Sequence, residues 1–253
     1  MTLVPNAIAF RDARHGLLGT GWLGCNNRAY GCKPQGTISM TADGGRTWKV
    51  VLRTPRPVVW ITVDSQTDWA RFDDGENLAS DDGGRTWHRA IGPNPLATPC
   101  PPALAQSVNQ AVSTPGGRAW ALCAGQGAAG SMAKAVYRLS SSGWKRVAYT
   151  PLFGRGGHGG IGRYGYPLGM TMADDGFGVI WESRGTLYVT RDGGSHWRAM
   201  PRVARPEVDF GQSAAALPHG VAYLVLGLGG SEHRRLLKTV DRGDTWSVVH
   251  RWR

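Results

Sequence analysis

Thr41-Ala42-Asp43-Gly44-Gly45-Arg46-Thr47-Trp48 decides how this chain is read, because close copies of it recur. Ser80-Asp81-Asp82-Gly83-Gly84-Arg85-Thr86-Trp87, Thr190-Arg191-Asp192-Gly193-Gly194-Ser195-His196-Trp197 and Thr239-Val240-Asp241-Arg242-Gly243-Asp244-Thr245-Trp246 repeat the pattern. An eroded copy, Ser140-Ser141-Ser142-Gly143-Trp144, lies between the second and the third. The five tryptophans, at 48, 87, 144, 197 and 246, stand 39, 57, 53 and 49 residues apart. Periods of that size belong to propellers and solenoids. Each residue type suits a tight turn between two strands. The aspartate (Asp43, Asp82, Asp192, Asp241) accepts backbone N–H groups, the glycine takes positive φ, and the hydroxyl adds a local bond. The tryptophan (Trp48, Trp87, Trp197, Trp246) opens the next strand and buries a large ring, at about 3–5 kcal/mol per truncation to alanine. The octapeptide is therefore read as a structural clip, not as a catalytic or calcium-binding motif.

Working outward, four strand-like segments surround each clip. The first set is 7–12, 16–22, 36–41 and 47–52, and the second is 58–64, 68–72, 77–80 and 86–91, with alternating or continuous apolar patterning. Five such sets, at approximately 6–53, 57–92, 104–150, 168–201 and 208–253, predict one all-β domain. It is a five-bladed β-propeller of four-stranded antiparallel blades. Composition agrees. The 253 residues include 37 glycines and 11 tryptophans but four glutamates and five lysines, which is poor material for helices. The longest apolar run, 221–226 with Leu228, is far short of the roughly 20 residues of a membrane helix.

The boxes resemble Asp-boxes, also called BNR repeats. Together with Phe10-x-Asp12-x-x-His15-Gly16-Leu17-Leu18-Gly19, echoed at 172–178, they make the chain similar to the photosystem II stability/assembly factor family. That resemblance implies a propeller and leaves activity open. Asp-box propellers include sialidases, xyloglucan-cleaving glycosidases, sortilin-type receptors and non-enzymatic assembly factors. Many such assembly factors have seven blades, and five are countable here. Either a five-bladed ring closes edge to edge as a monomer, or the chain needs a partner.

The four cysteines form two local pairs, Cys25 with Cys32 and Cys100 with Cys123, without zinc-ligand spacing. Disulfides would place the protein in an oxidising compartment, periplasmic or extracellular; four buried thiols would suit the cytoplasm. The amino terminus carries no apolar signal segment, so any export signal is expected to be absent from this chain.

The formal charge of +11, with 24 arginines, points to an anionic partner. The loops opposite the boxes carry the candidate binding residues: Arg28, Arg56, Arg155, His158, Arg163, Tyr164, Tyr166, Arg205 and Arg234. The best of these loops is the glycine-rich stretch 154–169, read as a flexible connection between blades. Its Gly157-His158-Gly159-Gly160-Ile161-Gly162 matches a dinucleotide fingerprint but lacks the strand–turn–helix context that fingerprint requires. One functional reading is a non-catalytic scaffold that docks an acidic protein or peptide, or an anionic glycan. No basic–aromatic ribbon argues for nucleic acid. The alternative is a sialidase-like glycosidase, with Tyr164 as nucleophile, Glu182 as its activator, Asp64 as acid/base and arginines such as Arg56, Arg163 and Arg205 on a substrate carboxylate. The arginine motif that sialidases place before the first box is missing. Neither reading calls for a cofactor or metal.

Overall fold

The computed structural model describes residues 3–21, 35–63, 66–91, 98–183, 186–200, 209–228 and 234–252. It contains five four-stranded antiparallel sheets, the blades of a β-propeller, each with its strands in sequence order. The first sheet is β1 (Val4–Phe10), β2 (Gly16–Gly21), β3 (Gly36–Thr41) and β4 (Lys49–Thr54). The second is β5 (Val58–Thr62), β6 (Asp68–Phe72), β7 (Asn77–Ser80) and β8 (His88–Arg89). The third is β9 (Val108–Ser113), β10 (Ala119–Ala124), β11 (Lys134–Ser140) and β12 (Gly143–Thr150). The fourth is β13 (Pro167–Met172), β14 (Gly178–Glu182), β15 (Leu187–Thr190) and β16 (Arg198–Ala199), and the fifth is β17 (Asp209–Leu217), β18 (Val221–Leu228), β19 (Arg234–Thr239) and β20 (Ser247–Trp252). Among the described residues no helix is long and apolar enough to cross a membrane.

The chain divides into two compact units. The first comprises Met1–Asn94, Gly230–Leu237 and Val248–Arg253. Its core joins Ala7, Leu17 and Ile38 of the first sheet to Val58, Ile61, Ala70 and Phe72 of the second. The second comprises Pro95–Gly229 and Lys238–Ser247. There Trp120, Leu122 and Val136 of the third sheet pack on Met170, Met172, Ile180 and Tyr188 of the fourth. Middle strands such as β10 and β14 are buried at every position, because neighbouring sheets cover both of their faces. The two-residue outer strands β8 and β16 are exposed throughout.

The boxes form the β3–β4 turn and its equivalents. Asp43 accepts the N–H groups of Arg46 and Thr47 (both 2.9 Å) and the Thr47 hydroxyl (2.6 Å). The Thr41 hydroxyl donates to Asp43 (2.8 Å) and accepts the Gly45 N–H (2.9 Å). Asp82 with Ser80 and Thr86, and Asp241 with Thr239 and Thr245, build the same cage. In the third full box His196 replaces the threonine, its Nδ1 lying 2.6 Å from Asp192. The second glycine of each box has φ between 83° and 87°, and a Cβ there would meet a neighbouring sheet. On Gly84 it would lie 2.6 Å from Leu17, and on Gly243 2.8 Å from Val189. Positive φ and close packing together require glycine. Each clip therefore joins two strands and also seats its sheet on the next.

Three expectations are corrected. The box tryptophans are not uniformly buried: Trp197 is 4% exposed, while Trp48, Trp87 and Trp246 are half-buried on the surface side of their turns. The eroded copy forms no cage; Ser140 pairs with Gly143 across a two-residue hairpin, so β12 extends for eight residues. The fourth strands of the second and fourth sheets, β8 and β16, are only two residues long, whereas β4 and β20, which also begin directly after a box tryptophan, run for six. Cys100 and Cys123 form a disulfide that ties the segment before β9 to β10, a bond suited to an oxidising compartment. Cys25 and Cys32 lie outside the described residues.

Two outcomes are expected. Trp197→Ala should lower unfolding free energy by about 3–5 kcal/mol in denaturant titrations, and Trp48→Ala by less, since its ring is less fully buried. The hydroxyl and N–H of Thr47 and of Thr86 hold the Asp43 and Asp82 carboxyls well below the usual range, and the Thr245 hydroxyl leads a similar set that holds Asp241 at about 2. A folded pKa below the unfolded one stabilises above the unfolded value. Stability should therefore be lost as pH falls from about 4 through about 2, and circular dichroism should show less acid sensitivity in a Thr47→Val/Thr86→Val variant.

Candidate functional site

The acidic groups are largely engaged inside the fold. Beyond the box aspartates that form the cages, Arg11 binds Asp68 (2.5 Å), and Asp244 takes both Arg191 (2.6 Å) and Arg198 (2.5 Å). Asp174 accepts from Thr114 and Gly116, while Asp175 accepts from His219 and Arg242 (both 3.0 Å), linking consecutive sheets of the second unit. The cations Arg138, Lys145, Arg146 and Arg155 are exposed, and among the described residues none has a carboxylate partner. The positive charge read from the sequence thus includes side chains that the fold does not neutralise.

Lys145 and Arg146 lie on β12, and Arg155 lies on the segment that leaves it. Tyr149 donates its N–H to His158 (3.0 Å) and accepts the His158 N–H (2.8 Å), so the chain turns back and pairs with the end of β12. The Arg146 guanidinium lies 4.5 Å over the Tyr149 ring, whose other neighbour is the His158 ring at 6.4 Å. Between these two residues the chain projects Phe153, 74% exposed, and Arg155. Arg163 closes the excursion with a bond to the Gly154 carbonyl (2.8 Å), and Tyr164, 73% exposed, follows it. The result is a basic strip set with aromatic rings: Arg146, Tyr149, Phe153, Arg155, His158 and Tyr164.

The second half of this segment, residues 158–165, is held to neighbouring segments by backbone bonds. Trp197 donates its backbone N–H to Gly159 (2.7 Å), Met132 to Arg163 (2.9 Å), and Gly165 to Gly130 (2.9 Å). Ile161 is buried in the core of the second unit. The fingerprint-like stretch 157–162 is therefore a wedge between sheets. A Cβ on Gly160 would lie 2.3 Å from the Trp197 carbonyl, so its glycines answer to packing and not to a phosphate.

Beneath the wedge lies a buried ion pair. Lys134, at the start of β11, donates to Glu182 at the end of β14 (2.5 Å) and to the carbonyls of Gly162 and Tyr164 (both 2.9 Å). The two side chains are 1% and 0% exposed. Burial pushes the Glu182 carboxyl up to about 7 against the pull of Lys134, and burial likewise lowers the Lys134 ammonium. Tyr188, whose ring lies 5.9 Å from the ammonium, is raised to about 12 by burial and by Glu182. Lys134 thus anchors the backbone that carries Arg163 and Tyr164.

Other predicted residues are placed differently from one another. Arg56 stacks on Phe72 (4.5 Å) and binds Asp74 and Glu76 (2.5 Å to Glu76), so counter-ions already hold it. Tyr166 is half-buried and accepts the Gly130 N–H on its hydroxyl (2.9 Å). Arg234 is half-buried on β19. Arg28, Asp64 and Arg205 lie outside the described residues. The Glu182 carboxylate is buried on Lys134, while the Tyr164 side chain is largely exposed. Sequence reading passed over Lys134, Arg146, Tyr149 and Phe153. The one available signal was a lysine heading the apolar run Ala135–Tyr137.

The fold and these turns define a β-propeller built on Asp-boxes, and residues 78–89 match the family model for the BNR/Asp-box repeat. Among solved structures the chain resembles YCF48 bound to D1 peptide, with 19% identity over 97% of this chain and 68% of that one and a TM-score of 0.33. It also resembles the GH74 xyloglucanase of Xanthomonas campestris, with 17% identity over 96% of this chain and 38% of that one, TM-score 0.39. A protein of unknown function from Dyadobacter fermentans is 14% identical over 97% and 83% of the two chains, TM-score 0.45. No curated protein matches the sequence.

The ion pair yields a signed expectation. Glu182 has a folded pKa above its unfolded value, so it favours the folded state at low pH, and that contribution is lost as pH rises through about 7. Urea unfolding at pH 5 and pH 8, above the range in which the box aspartates titrate, should show a loss in the wild type that Glu182→Gln lacks. Lys134→Met should cost about 3–5 kcal/mol by leaving a buried carboxylate and two carbonyls unpaired.

Proposed function

We propose that this propeller is a non-catalytic binding scaffold, exported to an oxidising compartment, that docks an acidic protein or peptide surface on the basic strip of its second unit. The observation that supports this reading is the charge distribution. Among the described residues most carboxylates are engaged in turns and ion pairs, while Arg146, Arg155 and His158 are exposed on the segment that also carries Tyr149, Phe153 and Tyr164. Arginine with aromatic rings is the composition of an interface anchor, and free guanidinium groups select carboxylates. The pinned backbone lowers the ordering cost of binding.

The test uses polyglutamate as probe in fluorescence anisotropy. Binding should weaken by at least about tenfold between low and 0.3 M salt, and Arg146→Glu combined with Arg155→Glu should abolish it. Salt-independent binding, or none, overturns the reading. So does turnover of fluorogenic sialosides or acidic β-glycans that Glu182→Gln removes.

A further inference from the structure

We propose that the free edge of β12 is the docking line, and that the acidic partner adds to the third sheet as an extended fifth strand. The inference rests on the anionic-partner reading for the partner's charge and goes beyond it in assigning the mode of binding.

The edge is long and open. β12 is the outermost strand of the order β12-β11-β10-β9 and runs for eight residues, against six in β4 and β20 and two in β8 and β16. The missing Asp cage accounts for its first two residues, since a two-residue hairpin lets pairing begin at Gly143, before the tryptophan, and not after it as in β4 and β20. The edge is also competent to pair. His158 exchanges both backbone bonds with Tyr149, so the chain itself supplies one residue of a fifth strand before diverting into the core at Gly159. Along residues 143–147, by contrast, no backbone group bonds to anything beyond β11 among the described residues. Strand addition uses such a row of unpaired N–H and C=O groups, with side chains setting specificity.

Charge selects the occupant. Arg138, Lys145 and Arg146 are exposed along β11 and β12 without carboxylate partners among the described residues. A second copy pairing edge to edge would set these cations against their own equivalents, which is how basic residues protect exposed edges from self-association. An extended segment with acidic side chains meets the same cations favourably and still satisfies the backbone.

The test uses a blocked hexapeptide of alternating glutamate and valine, its lysine–valine counterpart, and two N-methylated versions of the acidic peptide, one for each strand register. The acidic peptide should bind and shift the amide resonances of residues 143–147. At least one N-methylated version should bind about tenfold more weakly, because methylation removes N–H donors and leaves charge intact. The lysine–valine peptide should not bind. Lys145→Glu combined with Arg146→Glu should reverse the preference; both side chains are exposed, so the fold is retained. Equal binding of all acidic peptides overturns strand addition and leaves the anionic-partner reading standing. Failure of the hexapeptide where polyglutamate still binds has the same meaning. Failure of polyglutamate as well removes both.

Discussion

A tight turn between two strands leaves backbone N–H groups without a strand partner, and one aspartate carboxylate answers that need in each box. Asp43 takes two such groups and a threonine hydroxyl, and Thr41 takes a third N–H. Because the turn is satisfied from within, its second glycine can sit flat against the neighbouring sheet, as Gly84 does on Leu17. The same few atoms close the hairpin, set the spacing between sheets and present the tryptophan. Where the carboxylate is missing, at Ser140–Trp144, the hairpin tightens to two residues and the outer strand lengthens. The earlier start of β12 follows from that loss.

The cages also shape the electrostatics. Each one engages an acid in a chain that has 18 acids and 29 lysines and arginines. Further acids serve as links between sheets, among them Asp68, Asp174 and Asp175. What reaches the surface is consequently biased towards arginine. Arg56 shows that this bias is not uniform: a candidate cation in the sequence is, in the fold, the centre of a small ion-pair network with Asp74 and Glu76.

The buried Lys134–Glu182 pair stands apart. Desolvation makes such a pair a weak source of stability, while removal of either partner is costly. Its use here lies in placement, since the ammonium also holds the carbonyls of Gly162 and Tyr164. That contact makes the segment after β12 a wedge. Glycines at 157, 159, 160 and 162 suggested a flexible loop, but Gly160 lies against the Trp197 carbonyl and allows close packing.

How much was legible in the chain follows from the range of each interaction. The box cages span at most four residues, so the octapeptides announced the turns, and the period between them announced the blades. β3, β6 and β7 begin and end where local patterning places them. Interactions between distant residues left no such mark. Lys134 meets Glu182 across 48 positions, Arg56 meets Glu76 across 20, and Tyr149 meets His158 only because the chain doubles back. The sequence by itself determined the repeated turn, the sheets built on it and the excess of positive charge, because each is local or a simple sum. Which cations stay free, which glycines are wedges and which strand edge remains open were decided only by the tertiary structure, because each depends on what packing brings alongside.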